Sequence, residues 1–250
     1  MKVKAARVKI VQLNIWYGIL MPKILRFFDR QQADVLCLQE VRSSPDGAIE
    51  GFDNLELIQK KFNFPYVYYA PTYDFMMMGK RVYFGNCILS RHPIAHKEAV
   101  FAGSPYKADY KSYQDDPNIR NFQHAVIECN GKSYHVINHH GYFMQEHKHG
   151  CPKTEQRMKV LHDYIAKLDG PVILTGDLNV LPDSRSLVEL NKTLDNLCVT
   201  RHAETTRNVN AKTRIEICDY IFVNDKVAVK DFQVCDDHMS DHLALVLECE

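Results

Sequence analysis

The sequence lacks an excess of charge of either sign. Lys and Arg together number 31, as do Asp and Glu, so the formal net charge of the 250-residue chain is zero. A protein that holds nucleic acid mainly through a broad basic surface shows a positive excess. Any contact with a polyanion is therefore expected to be local, made by a few Lys and Arg side chains around one site.

Long hydrophobic runs are also absent. The basic start, residues 1–9, is followed by no apolar core of signal-peptide length, because Lys9 and Gln12 interrupt it. No apolar run reaches the roughly 20 residues that cross a bilayer. We expect a cytoplasmic protein without a membrane span, and a monomer.

No two cysteines have the Cys-x-x-Cys spacing. The eight cysteines lie mostly within apolar, strand-like runs, where free cysteine behaves as a small buried hydrophobe. A disulfide framework is not expected in a domain of this size without an export signal. One segment does have a composition compatible with zinc: it contains His139, His140, His147, His149 and Cys151. Its spacing matches no common zinc site, so we interpret it as a partly basic substrate loop and keep zinc as the alternative.

Strand-like and helical patterns alternate along the chain. Strands are predicted over residues 7–15, 33–38, 65–69, 82–90, 122–128, 133–138, 172–175, 213–223, 227–234 and 243–249. Helices are predicted from Pro22 and over residues 55–62, 154–168 and 184–190. Residues 73–81 and 103–118 are predicted loops, and Asn130-Gly131 predicts a hairpin turn. Helices separate only some of the strands, which favours one α/β (α+β) domain over residues 1–250, with mixed sheets rather than a doubly wound parallel sheet.

Polar side chains stand where several of these strands end or begin. Asp177 and Asn179 follow an apolar strand and share a face if the extended backbone continues, although alone they are equally typical of a turn. The other residues in such positions are Asn14, Glu40, His140, Asp241 and His242. Carboxylate and amide oxygens suit Mg²⁺ or Mn²⁺. A histidine beside an aspartate is held in one tautomer and kept charged near neutral pH.

Seven short motifs occur in the order and spacing of one family. They are Leu13-Asn14-Ile15, Leu38-Gln39-Glu40-Val41, Gly85-Asn86-Cys87-Ile88-Leu89-Ser90-Arg91, Asn138-His139-His140, Gly176-Asp177-Leu178-Asn179, Cys218-Asp219-Tyr220-Ile221-Phe222 and Ser240-Asp241-His242. Together they resemble the endonuclease/exonuclease/phosphatase family of DNase I-like metal-dependent phosphohydrolases, and the resemblance spans the whole chain. It implies a four-layered α/β sandwich of two packed mixed β-sheets, with the active site at one edge.

The resemblance also implies which residues bind metal and water. Glu40 is expected to be the principal metal ligand, with Asn14 and Asp241 beside it. Asp177 is expected to orient or deprotonate the attacking water, and Asn179 to hold the phosphate or the water. Asn14 and Asp241 are also compatible with turn or cap roles.

The implied histidine roles concern the phosphate and the leaving group. His242 is expected to contact the scissile phosphate with Asp219 orienting it, although Asp219 is also compatible with a strand-edge residue paired to an arginine. His140 is expected near the leaving group, with His139 as the alternative residue facing the site. We further expect four residues to bind substrate: Arg42, Asn86, Arg120 and His139.

Three positions depart from the family pattern. His139 stands where Thr is frequent, Gly141 stands where Leu is usual, and the arginine often found just before the Asp219 motif is displaced to Arg214. These departures concern the outer phosphate contacts more than the central residues.

The expected function is a Mg²⁺- or Mn²⁺-dependent phosphohydrolase, most simply an endo- or exonuclease-type phosphodiesterase that acts on nucleic acid by in-line water attack. A phospholipid (sphingomyelinase-like) or inositol-phosphate substrate is the alternative within the same mechanism. A non-catalytic binding module that keeps the fold is the alternative of another class. Tyr73, Phe75 and the methionines at 76–78 are compatible with stacking on a base, with contact to lipid, and with packing under their own loop.

Overall fold

The structure is a computed structural model that describes residues 7–45, 52–112, 114–211 and 216–250. The basic residues 1–6, Tyr113, Arg214 and the beginning of the strand predicted from 213 lie outside the described residues. All eight cysteines are free, and seven of them are buried. Among the described residues, no helix is both long enough and apolar enough to cross a membrane.

The described strands form two six-stranded mixed sheets. In chain order they are β1 (Val8–Asn14), β2 (Val35–Ser43), β3 (Tyr66–Met77), β4 (Lys80–Ser90), β5 (Ile94–Phe101), β6 (Asn121–Cys129), β7 (Lys132–His140), β8 (Val172–Asp177), β9 (Asp195–Asn196), β10 (Asp219–Val223), β11 (Val229–Cys235) and β12 (Ala244–Cys249). The first sheet has the order β11-β12-β1-β2-β4-β3, and the second has β5-β6-β7-β8-β10-β9. Only β1 with β2 and β7 with β8 pair in parallel.

Helices cover the outer face of each sheet. They are α1 (Met21–Gln31), α2 (Asn54–Phe62), α3 (Pro152–Ile165), α4 (Val188–Thr193) and α5 (Leu197–Thr200). The first two pack on the first sheet and the other three on the second. The layers therefore run helix, sheet, sheet, helix, which confirms the predicted four-layered sandwich.

Strand β1 shows why the first sheet is apolar on both faces. Ile10 belongs to the cluster between the two sheets, whereas Val11 and Leu13 belong to the cluster under α1 and α2. Successive side chains of a strand point to opposite faces, so a strand buried on both sides is a continuous apolar run. This burial fixes the register of the strands and hence the position of the residues that follow them.

Two sequence predictions about strands were wrong. Residues 73–81 are not a loop, because β3 and β4 form a long hairpin whose turn is Met78-Gly79. Met76 and Met78 are exposed near the tip of this hairpin, so their apolar character is no sign of a buried segment. Strand β5 was not predicted, because this edge strand is mostly exposed and has no apolar alternation.

Candidate active site

The carboxyl ends of the two parallel pairs meet at one edge of the sandwich. Asn14 ends β1, Glu40 lies near the end of β2, His140 ends β7 and Asp177 ends β8. The two sheets touch here, since β1 and β2 both contact β8. The amide Nδ2 of Asn14 donates to Glu40 Oε1 at 3.2 Å and to Asp177 Oδ2 at 3.1 Å. The structure thus brings together four of the residues predicted from strand ends.

Asn14 joins the two carboxylates as a hydrogen-bond donor. Its Oδ1 accepts from the backbone N–H of Trp16 at 3.0 Å, which is the turn geometry that the sequence left open. In this orientation the amide oxygen points away from Glu40 and Asp177. The structure therefore gives Asn14 an orienting role, and its predicted role as a metal ligand requires the amide to turn round.

Glu40 carries the clearest sign of a cation site. It lies at a β-bulge where the register between β2 and β4 shifts, and its φ of +60° turns the side chain towards the cleft. Its Oε2 atom is buried and has no hydrogen-bond partner among the described residues. Burial raises the pKa of this carboxyl to about 7. A buried carboxylate oxygen without a partner is costly, so the residues present fit a divalent cation at this position.

Asp177 is held on all sides by donors. Its Oδ1 accepts from the backbone N–H of Asn179 at 3.0 Å, and its Oδ2 lies 3.6 Å from His140 Nε2 and 3.7 Å from His242 Nε2. Burial opposes ionisation, but the charge of His242, together with those of Lys148 and Arg207, outweighs it and holds the pKa of Asp177 below its usual range. Asp177 is therefore ionised at neutral pH.

Two glycines let the backbones around Asp177 approach closely. Gly176 has a φ of +148°, and a Cβ there would lie 1.9 Å from the carbonyl oxygen of His139. Gly141 donates its backbone N–H to the carbonyl of Asp177, and a Cβ there would lie 2.2 Å from the carbonyl oxygen of Leu178. The Gly141 departure from the family pattern thus has a steric reason in this chain.

His242 and Asp219 form a buried pair opposite Asp177. The Nδ1 of His242 donates to Asp219 Oδ2 at 2.8 Å, and the same carboxylate accepts from Thr206 Oγ1 at 2.9 Å and Gln12 Nε2 at 3.1 Å. Among the residues that the structure describes, Asp219 is paired with a histidine and hydrogen-bonds to no arginine. Burial opposes a charge on His242, but the carboxylates of Asp219 and Asp177 outweigh it and raise the pKa of His242 to about 9.

Arg207 enters the same site although sequence patterns did not indicate it. Its Nη2 donates to Asp241 Oδ2 at 2.9 Å, and its Nη1 lies 2.9 Å from His242 Nε2. The second contact is a hydrogen bond only while Nε2 is unprotonated. When His242 is charged, the guanidinium and the imidazolium both present N–H groups to one small volume. That volume suits an oxygen anion that accepts from both.

His140 has a different fixed protonation pattern. Arg120 donates to its Nδ1 at 3.1 Å, which leaves the proton on Nε2, the nitrogen that faces Asp177. Burial and the Arg120 charge lower the pKa of His140 well below its ordinary value, so this ring is neutral. The alternative residue, His139, points the other way, and its Nδ1 donates to the carbonyl of Asn121 at 3.1 Å.

Asn179 and Lys148 complete the floor of the cleft. The Nζ of Lys148 donates to Asn179 Oδ1. This bond leaves the buried Nδ2 of Asn179 without a partner, as a donor for a ligand. Lys148 lies in the His-rich segment and is buried. The sequence predicted a partly basic substrate loop there, with zinc as the alternative, and did not single out Lys148.

An aromatic wall, defined as Tyr17, Tyr73, Phe84 and Tyr110, borders the cleft. Tyr73 stacks on Phe84 with ring centroids 4.7 Å apart and on Tyr110 at 4.2 Å. The cleft encloses about 390 Å³ and continues into a second hollow of about 290 Å³ that is lined by the same four rings. Arg42 lies in this second hollow, 4.6 Å above the ring of Tyr17.

Two predicted substrate residues do not reach the cleft. Asn86 is buried and donates to the Asn121 side chain at 3.0 Å, and His139 is buried against the same residue. Arg120 does line the cleft, and Arg42 lines the adjoining hollow. Among the described residues, the histidines and Cys151 of segment 139–151 do not form a group close enough to hold a metal.

Comparison with known proteins agrees with this geometry. The chain matches the model of the Endonuclease/Exonuclease/phosphatase family over residues 11–242. No curated protein sequence matches it. The solved structures described below are 13–17% identical to this chain, and at such low identity they show a shared fold alone. An endonuclease/exonuclease/phosphatase from Beutenbergia cavernae DSM 12333 superposes with a TM-score of 0.72 at 17% identity, over 98% of this chain and 71% of that chain.

Two further structures have named activities or ligands. The mannosyl-6-phosphatase Bt3783 from Bacteroides thetaiotaomicron VPI-5482 has a TM-score of 0.71 at 17% identity, over 97% of this chain and 99% of its own. The TDP2 of D. rerio, complexed with a single-strand DNA product, has a TM-score of 0.71 at 13% identity, over 98% and 99%. With the family match over residues 11–242, the chain belongs to the endonuclease/exonuclease/phosphatase family, whose members are phosphoester hydrolases.

Proposed function

We propose that the chain is a Mg²⁺- or Mn²⁺-dependent phosphodiesterase that hydrolyses nucleic acid with unpaired bases. The aromatic wall beside the acid and imidazole cluster carries the proposal. Stacked rings next to a phosphate site suit bases of a single strand, and each base stacked on an aromatic side chain contributes about 1–3 kcal/mol. The fold similarity to a TDP2 that holds a single-strand DNA product supports this substrate class. The proposal takes the protein to act as a cytoplasmic monomer.

Glu40 and Asp241 are the residues that would hold the cation. Both line the cleft, and the unpartnered Oε2 of Glu40 is the atom that most needs one. Asn14 orients the carboxylates through its Nδ2 and joins the ligands if its amide turns. When bound, Mg²⁺ or Mn²⁺ supplies positive charge to the phosphate oxygens as a Lewis acid.

Asp177 is the residue that would align the attacking water and accept its proton. It is ionised and it faces the cleft beside the unpartnered Nδ2 of Asn179. His140, neutral and protonated on Nε2, is placed to donate a hydrogen bond near the leaving oxygen. No covalent enzyme intermediate is needed, because the nucleophile would be the water that Asp177 aligns and deprotonates.

His242 and Arg207 are the groups that would meet the negative charge on the phosphate. Asp219 orients the His242 ring, while Asp241 orients the Arg207 guanidinium. Preorganised donors aimed at a developing charge are among the strongest catalytic terms in a water-poor site. Arg207 Nη1 and His242 Nε2 lie 2.9 Å apart, and a phosphate oxygen bound beside them would accept from both when His242 is charged.

A phosphomonoesterase is the second candidate, favoured by the number of buried cations. Arg120, Lys148 and Arg207 are each less than a tenth exposed and all lie within reach of the cleft. A monoester dianion carries more charge than one diester group and benefits more from such a cluster. A mannosyl-6-phosphatase with the same fold supports this alternative.

A hydrolysis panel with Mg²⁺ tests both candidates. The substrates are single- and double-stranded DNA, RNA, a sugar phosphate, sphingomyelin and inositol phosphates, with Asp177→Asn as the blank. We expect cleavage of single-stranded nucleic acid in preference to the duplex. Hydrolysis of the sugar phosphate alone would transfer support to the monoesterase, and hydrolysis of sphingomyelin or inositol phosphate would identify the lipid or inositol alternative. A panel without any turnover would favour the non-catalytic module.

A second experiment tests the aromatic wall directly. Tyr110→Ala should raise KM for single-stranded DNA by about 5–150-fold, the equivalent of ~1–3 kcal/mol for one stacked base. The same change should leave hydrolysis of a small phosphate ester nearly unaltered. Tyr66→Ala is the matched control, since Tyr66 is an exposed tyrosine of β3 that lines neither hollow.

A further inference from the structure

A second cluster of metal-ligating side chains lies on the outer face of the second sheet. His96 and Glu98 are two apart in β5 and therefore share a face, and Glu98 is directly opposite His124 of β6. One ligand atom from each of the three lies within 4.8 Å of the other two. His135, which contacts this cluster, is five residues before His140 in β7, or about 17 Å along the strand at 3.3–3.4 Å per residue. The cluster is thus separate from the cleft.

A chain of hydrogen bonds runs through this cluster. The hydroxyl of Tyr164, on α3, lies 2.6 Å from Glu98 Oε2 and 2.8 Å from His124 Nδ1. His124 Nε2 lies 2.9 Å from His135 Nδ1, and His135 Nε2 lies 3.0 Å from the carbonyl oxygen of Asp169. Both ends of the chain, the carboxylate and the carbonyl, are pure acceptors.

Counting protons shows that this chain of hydrogen bonds lacks one proton when both imidazoles are neutral. The Asp169 carbonyl requires a proton on His135 Nε2, and the Glu98 carboxylate takes the proton of Tyr164. The Tyr164 oxygen must then accept from His124 Nδ1. With both imidazoles neutral, His124 Nε2 and His135 Nδ1 face each other at 2.9 Å with a lone pair each and no proton between them.

A metal ion on His124 Nδ1 removes this conflict. Ligation through Nδ1 moves the ring proton to Nε2, which then donates to His135 Nδ1. Each hydrogen bond from His124 Nε2 through His135 to the Asp169 carbonyl then has one donor and one acceptor. Tyr164 turns away from Nδ1 and keeps its bond to Glu98. Ligating histidines ordinarily donate their second ring N–H to a neighbour, and ligating carboxylates ordinarily accept a hydrogen bond, as here.

We propose that His96, Glu98 and His124 form a site for a transition-metal dication of the Zn²⁺ class. Two imidazoles and one carboxylate are a frequent zinc ligand set with an open position, and they suit Mg²⁺ poorly because Mg²⁺ prefers oxygen ligands. His96 and Glu98 are about half exposed, so an ion reaches them from solvent. The His96 Nε2 and Glu98 Oε2 atoms are already 3.5 Å apart. A bound ion would fasten edge strand β5 to β6 and, through Tyr164, to α3.

Titration of the full chain with Zn²⁺ in excess Mg²⁺ tests the site. We expect His96→Ala and Glu98→Gln each to bind one Zn²⁺ ion fewer than the wild type, and Tyr164→Phe to bind that ion about 10–100-fold more weakly. Zn²⁺ should raise the Tm of the wild type more than that of His96→Ala. Neither His96 nor Glu98 belongs to the cleft, so both variants should retain basal activity.

The control is the double variant His147→Ala with His149→Ala, which removes the exposed histidines of the segment first considered for zinc. It should bind as many ions as the wild type. An unchanged Zn²⁺ stoichiometry in folded His96→Ala and Glu98→Gln would overturn the proposal. Loss of the ion in the double variant alone would also overturn it, because the ion would then belong to that segment.

Discussion

Two clusters of histidine and carboxylate involve the second sheet, one in the cleft between the sheets and one on its outer face, and their hydrogen bonds differ in one respect. In the cleft, each histidine has one nitrogen assigned by a partner of fixed character: Arg120 donates to His140, and His242 donates to Asp219. On the outer face, His124 Nε2 and His135 Nδ1 face each other at 2.9 Å, and neither of these two nitrogens carries a proton when both rings are neutral. Identical residue types therefore leave different atoms available.

The difference predicts different ligands for the two clusters. The cleft surrounds its carboxylates with Arg and Lys donors, so a substrate oxygen anion and a hard, oxygen-seeking cation are suited to it. The outer cluster has imidazole nitrogens and a single carboxylate. Its hydrogen bonds lack one proton, and a bound metal ion would remove that deficit. The residue types alone therefore predict the ligand of each cluster less well than the assignment of hydrogen-bond donors and acceptors does. Four experiments test the cleft and its difference from the outer cluster.

The largest effect is expected from Asp177→Asn, which alters only the cleft. The nearly isosteric amide keeps the fold but neither aligns nor deprotonates the water. Turnover should fall by about 10²–10⁴-fold, the usual size of a general-base contribution. Steady-state kinetics on the preferred substrate measures it, and Zn²⁺ binding to the outer cluster should be unaffected. Asp163→Asn, at an exposed position of α3, is the control, and equal losses in both variants would contradict the role of Asp177.

Acid stability should separate a buried histidine beneath the cleft from an exposed one. Burial lowers the pKa of His139 to about 4, against 6.5 for an unfolded histidine. As pH falls through this window the unfolded chain binds the proton first, so stability decreases from pH 6.5 to 4 by about 3 kcal/mol for this group. Above pH 6.5 it contributes no slope.

Denaturant melts of His139→Asn measure this contribution, since the amide keeps a donor for the Asn121 carbonyl. Its stability should decline less steeply between pH 6.5 and 4 than that of the wild type. His202→Asn, at an exposed position, should match the wild-type slope. If His139→Asn has the wild-type slope, His139 does not remain neutral in the folded protein.

Glu40→Gln should weaken the binding of Mg²⁺ to the cleft, whereas Glu98→Gln should weaken only the binding of Zn²⁺ to the outer cluster. Glu40→Gln removes the charge of the cleft ligand and keeps its shape, so the Kd for Mg²⁺ should rise at least tenfold, or ~1.4 kcal/mol. Glu98→Gln should leave Mg²⁺ binding unchanged. Isothermal titration with each ion decides the matter, and an unaltered Mg²⁺ Kd in Glu40→Gln would remove Glu40 from the ligand set.

The smallest effect is expected from Arg207→Lys. Lysine keeps the positive charge but lacks the planar fork that contacts Asp241 and the phosphate position together. We expect kcat/KM to fall by up to about tenfold, or ~1.4 kcal/mol, near the lower limit for a hydrogen bond to a charged group. Arg201→Lys, at an exposed position outside the cleft, is the matched control. If Arg207→Lys has the same kcat/KM as the wild type, the guanidinium does not bind the reacting phosphate.

The residues that end the strands were predictable because their signal is local. Apolar runs that stop at Asn14, Glu40, His140 and Asp177 show where buried strands finish, and parallel pairing brings those ends together. The residues that sequence reasoning missed have no such signal. Arg207 is 35 residues from His242, and Lys148 is 31 from Asn179. Both lie in segments without periodicity, so only long-range packing reveals where they go.

The sequence by itself determined most of the buried strands and the identity of the polar residues at one edge, because burial on both faces of a strand leaves a continuous apolar pattern. The family resemblance implied the four layers, and the parallel pairs became known only from the structure. Only the tertiary structure decided which atom of each residue is free. It turned His140 into the cleft and His139 out of it, gave Asn14 a donor's orientation, and left Glu40 Oε2 without a partner. Those outcomes depend on partners far along the chain, and hydrogen-bond direction has no trace in residue type or spacing.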